Sequence, residues 1–388
     1  MADKKIYLVK NLSPWMMDEL VAFAEQTPFT LILLRGQDSR YDSQLKALSE
    51  SGVDVVAQPF TGRFSWKKVF FLTRFILSHP LSFMLGYSAV IGWKSAYWFF
   101  RLDTKLFPDT SVIHAQFATQ PALVALLFKK YTSGRIGYYF TFHAYDIYFA
   151  NRWFALLVNQ SIRAFSISAF NIKYVAEKFK KVDSSRLSLS RLGANAPAIQ
   201  ETRESNDIFT IGFLGRFVEK KGVEYLLKAM EILQEQNKPV RLLLAGDGPL
   251  MESYRQLISQ AGLTNVTLTG SVQGDGKEQF FKRLDAFVMP SVKLKNDMDG
   301  IPVVLMETLS YQTPMIATDI SGMGEICIND YNGLLIPERD GQAIANAIKL
   351  LSQDPGLHRK FSENSASMFL QYDIRINSLQ KLKDMNWS

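Results

Sequence analysis

The chain has 388 residues, 47% of them apolar and 13% aromatic, and its 44 Lys and Arg residues outnumber its 37 Asp and Glu residues to give a formal net charge of +7. This composition excludes a disordered or fibrous protein, and at roughly 150 residues per domain the length suits two or three domains. Cys327 is the one cysteine, which excludes an internal disulfide and a cysteine-based zinc site, and the 4 histidines include no H-x-x-x-H pair, so a histidine-built metal centre is not expected.

Short apolar runs alternate with helical patterns along the whole chain. Met1 to Lys5 leads directly into the first run, so no secretory signal is predicted and a cytoplasmic location is expected. The predicted strands are Ile6–Val9, Thr30–Leu34, Val53–Ala57, Val112–His114, Tyr138–His143, Ala164–Ser168, Leu187–Ser190, Phe209–Leu214, Arg241–Ala245, Val266–Leu268, Ala286–Met289, Met315–Ala317 and Leu334–Ile336. Continuous apolar strands separated by helices are typical of parallel sheets covered on both faces, so the sequence predicts an α/β fold.

The segment from Arg63 to Lys105 combines cations with large aromatic side chains, and Asp103 is its only acid. Its uncharged run from Phe75 to Trp93 is a poor bilayer-spanning segment. Two interpretations stay open: a helical hairpin packed on its own domain with its cations in water, or a surface that docks on anionic lipid headgroups. The predicted membrane contacts are Trp66, Lys67, Lys68 and Arg74. Nucleic-acid binding is not expected, because the cations lie among bulky apolar residues and no recognised module is present.

A polar stretch from Gly193 to Asp207, broken by Pro197, separates the two halves. It predicts an N-terminal Rossmann-like domain over 1–195, a linker over 196–208 and a C-terminal Rossmann-like domain over 209–370. The final helical pattern, 371–388, is expected to pack back toward the N-terminal domain. Two doubly wound domains of similar size predict a cleft between the carboxyl ends of their sheets, where such folds bind ligands.

The segment after the predicted strand Phe209–Leu214 has the features of an anion site. Gly215 allows a turn with exposed backbone, and Arg216 and Lys221 flank the start of a predicted helix over Val223–Leu233. A helix N-terminus with two cations suits a diphosphate. The segment is neither a Walker P-loop nor a G-x-G-x-x-G fingerprint, and a solvated loop with ordinary surface charges is the alternative.

Two further places carry candidate polar side chains. Asp299 and Glu307 flank a predicted helix entry marked by Gly300 and Pro302, where carboxylates could accept hydrogen bonds from sugar hydroxyls or simply favour the helix dipole. His143 ends the strand before Asp146 and could face a cleft or be a satisfied structural histidine.

Several spaced motifs together resemble the retaining glycosyltransferases of family 4, which have the GT-B fold, and in particular enzymes of colanic acid and exopolysaccharide synthesis. The motifs that carry the resemblance are Gly215–Gly222, Leu244–Pro249, Met289–Ser291, Asp299 with Glu307, and Glu325 followed by Asn332–Leu335. The resemblance is densest from Ile211 to Pro337 and implies two Rossmann-like domains that face each other across a cleft.

The resemblance implies a role for each matching residue. Arg216 and Lys221, with Gly215, would bind the donor diphosphate. Glu307 would hold the nucleotide ribose and Asp299 would contact the transferred sugar. His143 would lie by the donor sugar and acceptor.

Four more positions would contact the nucleotide or sugar: Gly270, Val272, Gly300 and Ile301. The sequence departs from the family at Asp299, where Glu is usual. It departs again in Asn11–Trp15, which lacks the Gly-rich loop of some relatives, so the acceptor side is poorly specified.

The resemblance therefore implies a retaining transferase that moves a sugar from a nucleoside-diphosphate sugar to a glycan or polyprenyl-diphosphate-linked acceptor. No metal or other cofactor is expected, because the two cations would stabilise the departing diphosphate. The chain is expected in the cytoplasm, at the inner face of the cell membrane if the basic aromatic segment binds lipid. The alternatives are a nucleotide-sugar epimerase or phosphorylase on the same fold and a non-catalytic scaffold that binds nucleotide sugars.

Overall fold

The computed structural model describes residues 4–36, 38–57, 59–60, 62, 64–108, 110–148, 151–197, 208–295 and 297–387. Most of the predicted linker, 198–207, lies outside the described residues, as does Arg63. The chain divides into two compact units, residues 1–192 with 374–388 and residues 193–373.

The first unit is built on a parallel sheet with seven strands among its described residues, in the order β3-β2-β1-β4-β5-β6-β7. The strands are β1 (Lys4–Val9), β2 (Thr30–Leu33), β3 (Asp54–Val56), β4 (Ser111–Gln116), β5 (Gly137–Phe142), β6 (Arg163–Ser166) and β7 (Leu187–Leu189). The helices before residue 193 are α1 (Pro14–Ala24), α2 (Asp42–Glu50), α3 (Trp66–Ser78), α4 (Pro80–Met84), α5 (Gly86–Arg101), α6 (Gln120–Tyr131), α7 (Ala144–Tyr148), α8 (Phe154–Gln160) and α9 (Ala169–Lys178).

Strand β1 shows why the strands are apolar on both faces. Ile6 and Leu8 belong to the core on one side of the sheet, and Tyr7 and Val9 belong to the core on the other side. Successive side chains of a strand point to opposite faces, so a sheet covered by helices on both sides needs apolar residues at every position.

The second unit is built on a parallel sheet with six strands among its described residues, in the order β10-β9-β8-β11-β12-β13. The strands are β8 (Phe209–Leu214), β9 (Val240–Ala245), β10 (Val266–Gly270), β11 (Ala286–Met289), β12 (Met315–Thr318) and β13 (Gly333–Ile336). The helices are α10 (Val223–Glu235), α11 (Met251–Gln260), α12 (Asp275–Lys282), α13 (Val303–Ser310), α14 (Gly341–Gln353) and α15 (Pro355–Phe369). The predicted α/β fold class, with two doubly wound parallel sheets, is confirmed.

The strand order reverses once in each sheet. The reversal lies between β1 and β4 in the first unit and between β8 and β11 in the second. Loops that leave such a point at the carboxyl ends of the strands diverge and open a crevice, which is where doubly wound folds bind ligands. The reversal points are therefore the first places to look for a site.

The last helix, α16 (Ile374–Asp384), returns the chain to the first unit and packs on α1. Lys381 Nζ lies 2.6 Å from Glu19 Oε1, and both side chains are almost fully buried. The Tyr7 hydroxyl donates to the other carboxylate oxygen of Glu19 at 2.6 Å. The charge of Glu19 is therefore satisfied from two directions inside the core.

Candidate functional site

A pocket of about 430 Å³ lies in the second unit at the carboxyl ends of three neighbouring strands, β8, β9 and β10. Its lining residues are Leu214, Gly215, Arg216, Gly246, Asp247, Gly248, Ser271, Val272 and Gln273. Of the predicted site residues, the structure brings Gly215, Arg216 and Val272 to this one pocket. Gly270 ends β10 beside it, and its carbonyl accepts from Gly246 N–H at 2.8 Å.

Close contact between two loops shapes the pocket. Gly246 has φ of +142°, and a Cβ there would lie 1.9 Å from the carbonyl oxygen of Gly215. Phe217 N–H donates to the carbonyl of Asp247 at 2.8 Å, so the loops after β8 and β9 are also joined through their backbones. Only glycine allows this approach, so the two loops meet through backbone at this part of the pocket wall.

Lys221 lies at the end of a short turn that leads into α10. Gly222 begins the helix with φ of +60°, and a Cβ there would lie 2.1 Å from the carbonyl oxygen of Pro290. A Cβ on Gly215 would be 3.7 Å from Lys221 Cε, so the lysine side chain passes beside the glycine that lines the pocket. The predicted diphosphate residues Gly215, Arg216 and Lys221 thus lie together at the N-terminal end of α10, with Arg216 exposed.

Two lysines between β8 and α10, Lys220 and Lys221, bind the carboxylate of Asp299. Lys221 Nζ lies 2.8 Å from Asp299 Oδ2, and Ser291 Oγ donates to the same oxygen at 2.7 Å. Lys220 Nζ lies 3.6 Å from Asp299 Oδ1 and 3.0 Å from Asp297 Oδ1. Burial acts to raise the pKa of Asp299, but the charge and hydrogen bond of Lys221, helped by Lys220 and Ser291, outweigh it and hold that pKa below its usual value. Asp299 is therefore an anion whose Oδ2 already accepts from Lys221 and Ser291.

Glu307 has a partner that sequence reasoning did not identify. It lies in the second turn of α13, and its Oε1 is 2.7 Å from Nζ of Lys277 on α12. Both side chains are partly exposed, at 23% and 34%. Gly300 and Ile301 lie just before α13, where Ile301 is buried. No sequence pattern joins Lys277 to Glu307, because 30 residues separate them.

His143 belongs to the first unit, where it follows β5. It is buried, and its Nε2 lies 3.4 Å from Gln116 Nε2 at the end of β4. Burial, reinforced by the charge of Lys381, lowers the pKa of His143 to about 3, so its imidazole is neutral at physiological pH. Asp146 accepts from the backbone N–H of His143 at 2.8 Å, so this carboxyl fixes the start of α7 rather than the imidazole ring.

Two aromatic residues that the sequence analysis did not assign to this site lie against His143. The ring centroids of Phe117 and Trp15 are 4.5 Å and 5.3 Å from that of His143. Phe117 has φ of +77°, a strained conformation for a bulky residue. Trp15 follows β1 and Phe117 follows β4, so the cluster lies at the reversal point of the first sheet. Phe117 comes directly after β4, whereas Trp15 lies in the first turn of α1, and no sequence pattern joins the two.

The predicted membrane contacts divide into two sets. Trp66, Lys67 and Arg74 are exposed on α3. Lys68 is 2% exposed, and its Nζ donates to the carbonyls of Phe99, Phe100 and Leu102. The prediction of Lys68 as a membrane contact is wrong, because its ammonium is used inside the unit to bind the end of α5.

Comparison with known proteins extends this picture. Residues 195–368 match the family Glycosyl transferases group 1. The matched residues all lie in the second unit. The predicted resemblance, densest from 211 to 337, lies inside the matched residues and is confirmed at this level.

Two curated relatives align with part of the chain. The putative colanic acid biosynthesis glycosyltransferase WcaL of Escherichia coli (strain K12) is 34% identical over 36% of this chain and 35% of its own length. The putative teichuronic acid biosynthesis glycosyltransferase TuaC of Bacillus subtilis (strain 168) is 30% identical over 63% of this chain and 61% of its own length. The chain thus spans less than two thirds of each relative.

A structural relative shows the fold of the group 1 domain and of the rest of the chain. The UDP complex of Anabaena Alr3699/HepE has a TM-score of 0.69 over 99% of both chains at 14% identity, and a further structure of that protein contains UDP-glucose. This likeness establishes the fold, which is GT-B. Among the described residues, no helix combines the length and hydropathy needed to cross a bilayer. In the same part of the chain, no three His, Cys, Asp or Glu side chains lie close enough to bind a metal ion together.

Proposed function

We propose that the chain is a retaining glycosyltransferase that moves a sugar from a nucleoside-diphosphate sugar to a glycan or polyprenyl-diphosphate-linked acceptor in bacterial polysaccharide synthesis. The observation that carries the proposal is a pocket lined by Gly215 and Arg216, with the Lys221 side chain passing beside Gly215 just before α10 begins. The names of the matched relatives and the UDP and UDP-glucose complexes of the Anabaena protein support it. We propose a cytoplasmic enzyme that works at the inner face of the membrane.

The donor diphosphate binds where backbone and side chains both offer positive charge. The positive end of the α10 dipole and the ammonium of Lys221 bind one face of the diphosphate, and the exposed guanidinium of Arg216 covers the other. These groups stabilise the negative charge that grows on the diphosphate as the sugar leaves. Because this charge is balanced by the chain itself, we expect transfer without an added metal or other cofactor.

Asp299 acts as a positioning residue in this scheme. Its carboxylate holds Lys221 in place, and its Oδ2 already accepts from Lys221 and Ser291. Aspartate is one methylene shorter than the glutamate usual in the family, so its carboxylate lies nearer the backbone and reaches the lysine pair. Glu307 binds the ribose hydroxyls once they displace Lys277.

The acceptor meets the first unit. His143 is neutral, so it offers hydrogen bonds to hydroxyl groups rather than a positive charge. The rings of Trp15 and Phe117 beside it supply an apolar wall against which a sugar ring can stack. We assign no nucleophile, in line with same-face attack assisted by the leaving group.

Donor binding is tested first by thermal unfolding with UDP-, GDP-, ADP- and CMP-sugars, with and without EDTA. A ligand that binds only the folded chain raises its melting temperature with the logarithm of ligand excess. We expect a rise with one nucleotide class, unchanged by EDTA, that disappears in Arg216→Ala/Lys221→Ala. The matched control is Arg255→Ala/Lys360→Ala, which removes two exposed charges of the same unit and should retain the rise.

Two results would contradict the proposal. If no nucleotide sugar shifts the melting temperature of the wild type, the donor site is absent. If a donor binds but is consumed equally with and without acceptor extracts, the chain is an epimerase or hydrolase, and NMR of the product would show this. Retention is checked by the anomeric coupling constant of the transferred sugar.

A further inference from the structure

The first unit exposes an unusual amount of apolar surface on three consecutive helices. Phe70, Leu77 and Met84 are each 73% exposed, and Trp66 is 76% exposed. We call this region the α3–α5 surface. Its exposed apolar side chains are Phe64, Trp66, Phe70, Leu77, Leu81, Met84, Leu85, Val90, Trp93 and Tyr97. Isolated exposed apolar residues are ordinary, but a concentration of this size on one segment marks an interaction site.

On each long helix these residues form one stripe. In α3, Trp66, Phe70 and Leu77 recur at spacings of four and seven residues, so they lie along one face. The buried residues Leu72 and Phe75 occupy the opposite face. In α5, Val90, Trp93 and Tyr97 recur at three and four residues, whereas Ile91 and Phe99 are buried.

Contacts between the helices join the stripes. The Phe64 ring lies 5.1 Å from the Trp66 ring and 5.7 Å from the Phe100 ring, which connects the start of α3 to the end of α5. Trp93 Nε1 donates to the carbonyl of Phe83 at 3.0 Å, which connects α5 to α4. Lys68 binds α3 to the carboxyl end of α5 from inside. The surface is therefore held in shape by the fold itself.

The charges on this segment have one sign. Lys67, Arg74, Lys94 and Arg101 are exposed, with Arg74 and Lys67 beside the α3 stripe and Lys94 and Arg101 within the α5 stripe. The one acid from Phe64 to Lys105 is Asp103, whose side chain accepts from the backbone of Lys105. A partner for this surface must accept its apolar side chains and must carry negative charges next to them for the cations.

We infer that the α3–α5 surface docks the chain on the headgroup region of an anionic bilayer, with its aromatic and aliphatic side chains at the acyl boundary and its cations on lipid phosphates. Tryptophan and tyrosine rings next to Lys and Arg are the composition that this boundary favours. A second copy of the chain fits poorly, because a twofold contact would place the same cations against each other. The inference rests on the proposed function, because it names the residues that would hold the enzyme at the membrane. Its test involves neither donor nor turnover, so the membrane inference and the transferase proposal can fail independently.

The test is co-sedimentation of the full chain with phosphatidylcholine vesicles, with and without phosphatidylglycerol. We expect binding to the anionic vesicles at low salt, weaker binding at high salt and none to phosphatidylcholine alone. Each exposed cation removed should lower the partition coefficient about fivefold, so Lys67→Gln/Arg74→Gln/Lys94→Gln should lower it on the order of a hundredfold. Phe70→Ser/Leu77→Ser/Met84→Ser, which changes only strongly exposed side chains, should also weaken binding and leave the melting temperature unchanged.

The matched control is Arg255→Gln/Arg359→Gln/Lys383→Gln, which removes the same charge from exposed positions elsewhere and should bind like the wild type. The inference is overturned if the wild type ignores anionic vesicles at low salt, or if the control loses as much binding as the first variant. The alternative occupant is a second copy of the chain, and light scattering tests for it by measuring the molar mass. If the wild type is a dimer and the Phe70→Ser/Leu77→Ser/Met84→Ser variant is a monomer, the surface is a dimer interface instead.

Discussion

Lys221 Nζ lies 2.8 Å from Asp299 Oδ2, and the two residues come from opposite sides of the point where the strand order of the second sheet reverses. Lys221 follows β8 and Asp299 follows β11. The ion pair therefore orders two loops that diverge from each other, and it fixes the ammonium before any ligand arrives. A preformed cation needs no reorganisation when negative charge develops beside it.

Asp299→Asn should destabilise the second unit by about 3 kcal/mol at neutral pH, because two lysines then lose a buried anion. The folded pKa of Asp299 is below its unfolded value, so its stabilisation is present above the unfolded pKa and is lost as pH falls through the folded pKa. The difference in melting temperature between wild type and Asp299→Asn should therefore shrink below about pH 4. Glu363→Gln, at an exposed carboxylate, should show neither effect, and a pH-independent difference for Asp299→Asn would contradict the assignment.

Lys277→Met should strengthen donor binding, because Glu307 no longer has to exchange its ion pair for the ribose. Since the pair is partly exposed, the gain is limited to about fivefold in donor KM. Lys282→Met is the control, because Lys282 lies on the same helix and pairs with Glu278 at 2.9 Å. Weaker donor binding in Lys277→Met alone would show that Lys277 contacts the donor itself.

Lys68→Met should reveal a pH-dependent contribution to stability. Burial lowers the pKa of Lys68 to about 8, so the folded state disfavours its charged form. This penalty is complete below pH 8 and vanishes as pH rises toward the unfolded value of 10.5. The free energy of unfolding of the wild type should therefore rise relative to Lys68→Met across that window, as measured by urea unfolding at several pH values. A falling difference would mean that the three carbonyls hold Lys68 charged.

Glu19 and Lys381 should be energetically coupled in a double-mutant cycle. Lys381→Met removes the cation and leaves the buried Glu19 carboxylate with the Tyr7 hydroxyl as its side-chain donor among the described residues, so the single change should destabilise the first unit by about 3–5 kcal/mol. Glu19→Gln/Lys381→Met should be less destabilising than the sum of the two single changes, because no lone charge remains. Chemical unfolding of the four proteins measures the coupling, and strict additivity would show that the pair contributes nothing.

The strands were predictable because burial on both faces leaves a strong signal in the sequence. Phe209–Leu214 and Ala286–Met289 are predicted to the residue. Strand β4 is longer than its prediction, because Ala115 and Gln116 continue it and Gln116 is a buried polar residue. Polar residues at strand ends resemble loops until their partner, here His143, is known.

Side-chain partnerships were less predictable. The spacing of Lys68 to Leu72 and Phe75, four and seven residues, places all three on one helix face, and this signal could have separated Lys68 from the exposed Lys67. No comparable signal exists for Lys277 and Glu307, which lie on different helices. The role of Asp299 as an anchor for Lys221 also depends on tertiary contact, since sequence alone showed only that the residue is one methylene shorter than the glutamate expected there.

The return of α16 to the first unit has a consequence for how the protein is made. The core around Glu19 is complete only when Lys381 and the buried Trp387 have been added to the chain. A ribosome therefore finishes the second unit before it releases the last part of the first, although it begins with the first. The N-terminal unit lacks the ammonium partner of Glu19 until Lys381 has been added, and this is the interval in which a chaperone has most to protect.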